Sequence, residues 1–137
     1  MKKKKIRVLK IEPMDHPSVC YIEPTIKAIK CAVGADLVKY GDIEAKMIAY
    51  RVYAVFNKDR FLTSLEPNRQ IGDDIISGNI YIVAINDDRV PISLTDEQIE
   101  IYSSMFYGIE VFDEIDVIDA NMSLFASRLL IDEESEI

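Results

Sequence analysis

The sequence predicts an α+β domain with a mixed, mostly antiparallel sheet of about five strands, two helices on one face of the sheet and a C-terminal helical tail. Three observations support this class. Short apolar runs of strand length alternate with turn residues, two segments carry helix-start signals, and the segment after Gly108 combines acidic residues with a helical apolar stripe. Hydrophobic residues make up 49% of the 137 residues, which is enough for one buried core.

The predicted strands are short, β-branched or aromatic, and bounded by breakers. Pro13 ends the first strand, and a turn over residues 14–17 makes a hairpin with the second. The run from Ile80 to Ile85 is the longest apolar run and is expected to be central. The predicted strands cover residues 6–12, 18–23, 36–40, 45–56 and 79–85.

Two of these assignments leave details open. Residues 45–56 also keep helical spacing, so a helix is the alternative there. Residues 57–60 have turn composition and predict a hairpin back through residues 61–65. Residues 66–77 are expected to be irregular.

Each predicted helix has a recognisable start. Pro24 suits the first turn of a helix over residues 24–33, and Gly34 suits its C-terminal cap. The second helix covers residues 95–107, where Thr95 and Gln98 have the spacing of a capping box.

The charge balance narrows the possible partners. The net charge is −8, with 24 acidic and 16 basic residues, and this opposes general nucleic-acid binding because phosphates need a basic surface. Solubility is the simplest role for the acidic excess, and a basic partner or nucleic-acid mimicry are the alternatives. No run approaches the roughly 20 apolar residues of a membrane span.

The basic start of the chain does not predict secretion. Lys2 to Lys5 are followed by an apolar run that charged residues interrupt, which is not a signal-peptide pattern. We therefore expect a cytoplasmic protein in which Cys20 and Cys31 are reduced.

The chain divides into an α+β core domain, residues 1–108, and an acidic C-terminal extension, residues 109–137. The extension carries an apolar stripe at helical spacing, and we expect it either to pack on its own sheet or to bind another protein or a second copy of the chain. The candidate contact residues are Met122, Phe125, Leu129 and Leu130.

The candidate binding residues are Asn68, Arg69 and Asp73, which fall in the segment expected to be irregular. The planar guanidinium of Arg69 could bind a carboxylate or phosphate, and Asn68 could recognise a polar group. The alternative is architectural, with Pro67 and Asn68 shaping a turn and Arg69 binding a buried carbonyl or Asp73.

Other polar residues have simpler interpretations. The acidic pairs at residues 73–74 and 87–88 are typical of turns, and neither has the ligand spacing of a calcium loop. His16 is the only histidine and lies in a predicted turn, while Cys31 lies off the apolar stripe of the first helix. The sequence therefore predicts no catalytic residues, no metal site and no cofactor.

Four short motifs occur in a familiar order. They are Leu9-Lys10-Ile11-Glu12-Pro13, Pro67-Asn68-Arg69, Gly78 before an apolar strand, and Ser93-Leu94-Thr95 at the second helix. Over residues 7–107 the chain resembles an uncharacterised bacterial and phage domain family, the domain of unknown function with the number 3846. The resemblance implies an origin on a phage or conjugative element and implies no activity.

These observations predict a small non-enzymatic, protein-binding accessory factor of a phage or conjugative element, with counter-defence as one possible role. The alternative is a regulatory domain that binds a small anion through Pro67-Asn68-Arg69. No Ser-His-Asp order, phosphate loop or zinc ligand set favours an enzyme.

Overall fold

The structure, a computed structural model, describes residues 4–35, 41–58 and 65–112. In these ranges it contains eight strands and two helices. The elements are β1 (Ile6–Ile11), β2 (Ser18–Ile22), α1 (Ile26–Ala32), β3 (Ile43–Ala49), β4 (Val52–Asn57), β5 (Pro67–Ile71), β6 (Asp74–Ser77), β7 (Ile80–Ile85), β8 (Pro91–Ile92) and α2 (Asp96–Met105).

The main sheet has six strands in the described ranges, with β7 at its centre. Its order is β2-β1-β7-β4-β3, and the short β8 also pairs with β7. Each of these strand pairs is antiparallel. The expected α+β class, the mostly antiparallel sheet, the β1–β2 hairpin and the central β7 are confirmed.

The two helices lie on opposite faces of the sheet, so the expectation that they share one face is wrong. Side chains alternate between the two faces of a strand. Ile80 and Ile82 of β7 belong to the core cluster that contains Tyr102 of α2, whereas Tyr81 and Val83 belong to the cluster that contains Ile29 of α1. Both faces of β7 are therefore covered, which explains why its apolar run is uninterrupted.

The single strand expected over residues 45–56 is two strands. Ala49 pairs with Val52, so Tyr50 and Arg51 form a two-residue turn between β3 and β4. Arg51 adopts the left-handed conformation with a φ of 57°. Because neither residue is a typical turn former, the composition hid this hairpin.

The segment expected to be irregular is also a hairpin. β5 and β6 pair antiparallel, with Ile71 opposite Asp74 and with Gly72 at a φ of 63° in the turn. This hairpin places Ile71 and Ile76 in the core on the α2 face of the sheet. The Gly72-Asp73 pair was the sequence signal for this turn.

The helix ends follow the local signals. The capping box of Thr95 and Gln98 is present in α2, and Thr25 caps α1 by accepting a hydrogen bond from the Ala28 N–H. Gly34 follows α1 with a φ of 74°. The strand expected at residues 36–40 and the tail helix lie outside the described residues. So do residues 61–64 of the hairpin return expected over residues 61–65, whereas Leu65 is described and belongs to no strand.

Candidate functional site: an apolar groove beside helix α1

Arg69, the strongest candidate from the sequence, is completely buried, with 0% of its surface exposed. Its Nη2 donates to the carbonyl of Asp15 at 2.7 Å and to the carbonyl of Phe106 at 3.1 Å, and its Nη1 donates to Oδ1 of Asn68 at 2.8 Å. The guanidinium thus joins the β1–β2 turn, β5 and the end of α2. The contacts with Phe106 and Asn68 are buried, so these two acceptors would otherwise be hard to satisfy, and the contact with Asp15 is partly buried.

Asn68 is equally buried and extends the same network. Its Nδ2 donates at 2.8 Å to the carbonyl of Ile11 and at 2.8 Å to the carbonyl of Gly78. Burial lowers the pKa of Arg69, and the negative charge of Glu110 raises it in part. The arrangement corresponds to the architectural alternative, in which Arg69 binds buried carbonyls.

Asp73 does not join Asn68 and Arg69. It is exposed in the β5–β6 turn, whereas the carboxylate that acts on Arg69 belongs to Glu110. Glu110 also accepts a hydrogen bond from the Gln70 N–H at 3.3 Å. The three predicted binding residues therefore do not converge on a pocket in this structure.

The other polar residues singled out in the sequence do not form a shared site in the described ranges. His16 is exposed, stacks on the Tyr107 ring with a centroid distance of 4.1 Å, and has its Nδ1 2.8 Å from the Tyr107 carbonyl oxygen. Cys20 and Cys31 are free thiols. In the described ranges, no three His, Cys, Asp or Glu side chains are grouped as metal ligands would be. The tail residues Met122, Phe125, Leu129 and Leu130 lie outside the described residues.

A different feature has the geometry of a binding site. An apolar groove of about 340 Å³ lies on the α1 face of the sheet, between α1 and strands β3, β4, β7 and β8. This volume is within the range of small-ligand and side-chain pockets. The groove is lined by Ile26, Ile29, Ile43, Ala45, Tyr53, Val55, Val83, Ile85, Arg89 and Pro91.

The groove exists because α1 is too small for the face that it covers. The helix has seven residues and is therefore about 10 Å long, and a helix about 10 Å wide covers roughly two strands spaced 4.8 Å apart. Its Ile29 and Val33 share one apolar cluster with residues of β1, β4 and β7, and the groove remains where the start of the helix faces β3, β4 and β8. Ile26 of α1 is 58% exposed and lines the groove.

Further apolar side chains extend the surface beyond the groove. Met47 of β3 is 61% exposed and is paired with Tyr53, which lines the groove. Tyr50, in the adjacent turn, is 80% exposed. Clustered exposed apolar side chains of this size are typical of interaction surfaces.

Arg89 is the charged residue of the groove. It lies in the turn between β7 and β8 in the left-handed conformation, with a φ of 61°. Asn86 orders this turn, because its Oδ1 accepts from the N–H groups of Asp88 and Val90. Arg51 holds the turn from the β3–β4 side by donating from Nη1 to the Asn86 carbonyl at 2.7 Å.

The electrostatics of the groove follow from this turn. Arg51 is paired with Asp87 at 3.0 Å, whereas Arg89 forms no salt bridge with another residue of the described ranges. A guanidinium beside an apolar groove favours a ligand that combines an apolar group with an anionic one. The sequence did not indicate this site, because its residues come from six separate elements or turns and the β3–β4 hairpin was not predicted.

A family model described as "Domain of unknown function (DUF3846)" matches residues 6–107. The chain belongs to this family. The DUF3846 match begins with β1 and ends after α2, so it includes both the Arg69 network and the groove. The family membership expected from the four motifs is confirmed.

No curated protein and no solved structure matches the chain. Among residues 4–35, 41–58 and 65–112, none of the helices has both the length and the apolar character that crossing a bilayer requires.

Proposed function

We propose that this DUF3846 chain is a protein-binding domain that holds an apolar side chain of its partner in the groove beside α1, with a partner carboxylate at Arg89. The observation that carries the proposal is the groove itself, which is an apolar depression on a folded domain with a cation at its rim. Apolar anchors in pockets with a polar rim supply most of the affinity in protein interfaces.

The exposed side chains around the groove support a macromolecular partner. Ile26 lines the groove, Met47 pairs with the groove residue Tyr53, and Tyr50 lies in the β3–β4 turn. All three side chains are more than half exposed. A small ligand in the groove would leave Met47 and Tyr50 in water, whereas a protein surface would cover them as well.

The position of Arg89 supports the charge of the partner. Its backbone is fixed by the Asn86 turn, so the entropy lost on binding would be that of the side chain alone. An acidic residue of the partner would make a charge-assisted hydrogen bond with it. A basic partner surface would be disfavoured at this point.

The proposal includes the wider role predicted from the sequence. A non-enzymatic accessory factor of a phage or conjugative element acts by binding a protein of the host or of the element, and counter-defence is one form of such a role. The free thiols of Cys20 and Cys31 fit a reducing cytoplasm.

The alternative function, binding of a small anion by Arg69, has less support. Nε, Nη1 and Nη2 of Arg69 already donate to protein oxygens, and the side chain is fully buried. An anion would have to replace these acceptors.

The groove can be probed directly with 8-anilinonaphthalene-1-sulfonate, which combines an apolar body with an anionic group. We expect saturable binding that is lost in Ile26→Glu and weakened in Arg89→Glu. Ile101→Glu is the matched control, because Ile101 is 47% exposed on α2 and does not line the groove. Equal binding of the probe by all three variants would show that it does not bind in the groove and would contradict the proposal.

The partner can then be sought by affinity capture with the wild-type chain and the same three variants. Support requires a protein that wild type and Ile101→Glu retain and that Ile26→Glu loses, followed by confirmation with the purified pair. A partner that binds Ile26→Glu as tightly as wild type would show that the interaction uses another surface.

A further inference from the structure

β3 is an edge strand of the sheet in the described ranges, since it pairs with β4 alone. In an antiparallel pair, hydrogen-bonded and non-hydrogen-bonded residue pairs alternate. The Lys58 N–H donates to the Asp42 carbonyl at 3.0 Å, so the pair 42 and 58 is hydrogen-bonded. It follows that the backbone groups of Glu44 and Lys46 also face β4.

The opposite set of backbone groups faces outwards. By the same alternation, the N–H and C=O groups of Ile43, Ala45 and Met47 point away from β4. The other side of β4 agrees with this, because the Ile85 N–H donates to the Arg51 carbonyl at 2.9 Å, which directs the backbone of Tyr53 to β7. Among residues 4–35, 41–58 and 65–112, no strand pairs with the outer edge of β3, so this edge can accept one more strand.

The charges of β3 select one register for a second copy. The register shift after Met47 leaves residues 43–47 as the regular part of β3. A two-fold axis that keeps the outward groups opposite each other and pairs at least three of these residues passes through residue 44, 45 or 46. The first and last put Glu44 opposite Glu44, or Lys46 opposite Lys46, and like charges directly opposite are destabilising. The axis at Ala45 puts Glu44 opposite Lys46 twice and Ile43 opposite Met47 twice.

We propose that two copies of the chain associate by antiparallel pairing of their β3 strands, centred on Ala45. The contact is isologous, so the same short segment supplies both halves of every pair. On the α1 face, Ile43 and Met47 of the second copy lie beside Met47 and Ile43 of the first. The second copy thus extends the apolar surface next to the groove.

Lys46 is already positioned for this contact. Its Nζ donates to the Ile71 carbonyl at 2.8 Å and lies 3.9 Å from Asp74. An ammonium has three donors, so the same group can also meet Glu44 of the second copy. Gly72 leaves room for it, since a Cβ at that position would be 2.9 Å from Nζ.

The other edge of the sheet is less suited to pairing. β2 has five residues, Pro17 precedes it and Pro24 follows it closely, and its sequence has no charges to select a register. Tyr21 of β2 and Met47 of β3 are nevertheless exposed to a similar extent, 59% and 61%. They provide a matched pair of positions for substitution.

The first test is sedimentation equilibrium of the full chain. We expect a concentration-dependent mass that reaches twice the 15.6 kDa of one chain. Met47→Lys should weaken the dimer on the order of tenfold or more, because it places a charge opposite Ile43, and Tyr21→Lys should leave it unchanged. A monomer throughout the concentration range, or equal effects of the two variants, would overturn the proposal.

The second test addresses the register. Glu44→Lys and Lys46→Glu should each weaken self-association, since each homodimer then has like charges opposite each other. An equimolar mixture should form a heterodimer, in which residues 44 and 46 are again complementary. A mixture as weak as the separate variants would overturn the Ala45 register.

Lys46→Glu also loses the contact with Ile71, so its folding is checked by circular dichroism. If it does not fold, the series wild type, Glu44→Gln and Glu44→Lys tests the same point. Affinity should fall in that order, and a constant affinity would exclude the pairing of Glu44 with Lys46. These measurements use no groove partner, so their failure would leave the proposed protein-binding function standing.

Discussion

The two faces of the central sheet differ in how completely they are covered. On the α2 face, the ten-residue helix and the β5–β6 hairpin cover a large apolar cluster, and Arg69 and Asn68 join the surrounding carbonyls. On the α1 face, a seven-residue helix covers a smaller cluster and leaves a groove. The first face is organised for stability, whereas the second keeps apolar surface available.

This difference explains why sequence motifs and the candidate site do not coincide. Pro67-Asn68-Arg69 stood out in the sequence because it combines polar residues with a turn former. In the folded chain those polar groups satisfy buried carbonyls, which is a structural role. The groove consists mainly of apolar residues that resemble those of any core. They form a candidate site because the fold leaves them incompletely covered.

The largest expected difference between the two faces is in stability, and it is tested by comparing Arg69→Met with Arg89→Met. The first removes the donors for the carbonyls of Asp15 and Phe106 and should lower the free energy of unfolding by about 3 kcal/mol or more. The second, at an exposed side chain, should change it by less than about 0.5 kcal/mol. Urea denaturation measures both, and similar losses would show that Arg69 is not a stabilising centre.

A pair of isoleucines tests the packing of the two faces. Ile76 is fully buried on the α2 face, and Ile76→Ala should cost about 2–5 kcal/mol of unfolding free energy. Ile43 is half-buried at the groove, and Ile43→Ala should cost about 1 kcal/mol because less of its surface leaves water on folding. Thermal denaturation, followed by circular dichroism, measures the loss of stability in both variants. A larger loss for Ile43→Ala than for Ile76→Ala would contradict the prediction.

The smallest expected difference concerns the two helix caps. Thr95→Ala removes a reciprocal capping box and should cost about 1 kcal/mol. Thr25→Ala removes a single hydrogen bond to the Ala28 N–H and should cost about half as much. Chemical denaturation of the two variants measures the order, and a larger loss for Thr25→Ala would indicate that α1 depends on its cap more than α2 does.

Local signals in the sequence were sufficient for several elements. The capping box, Gly34 after α1 and the proline-bounded β1–β2 hairpin were all predictable, since each depends on residues that are close together in the sequence. The central position of β7 was also predictable, because an uninterrupted apolar run needs cover on both faces. The left-handed Arg51 gave no such signal, and the β3–β4 hairpin was missed with it.

The α+β class, the helix starts and the family membership could be read from the residues alone, because they depend on local propensity, periodicity and motif order. The role of Arg69 became clear from the folded chain, because its acceptors at Phe106 and Asp15 lie 37 and 54 positions away in the sequence. The tertiary structure also decided the helix placement and the groove. The physical reason is that burial depends on which distant segments meet, and the spacing of residues along the chain does not contain that information.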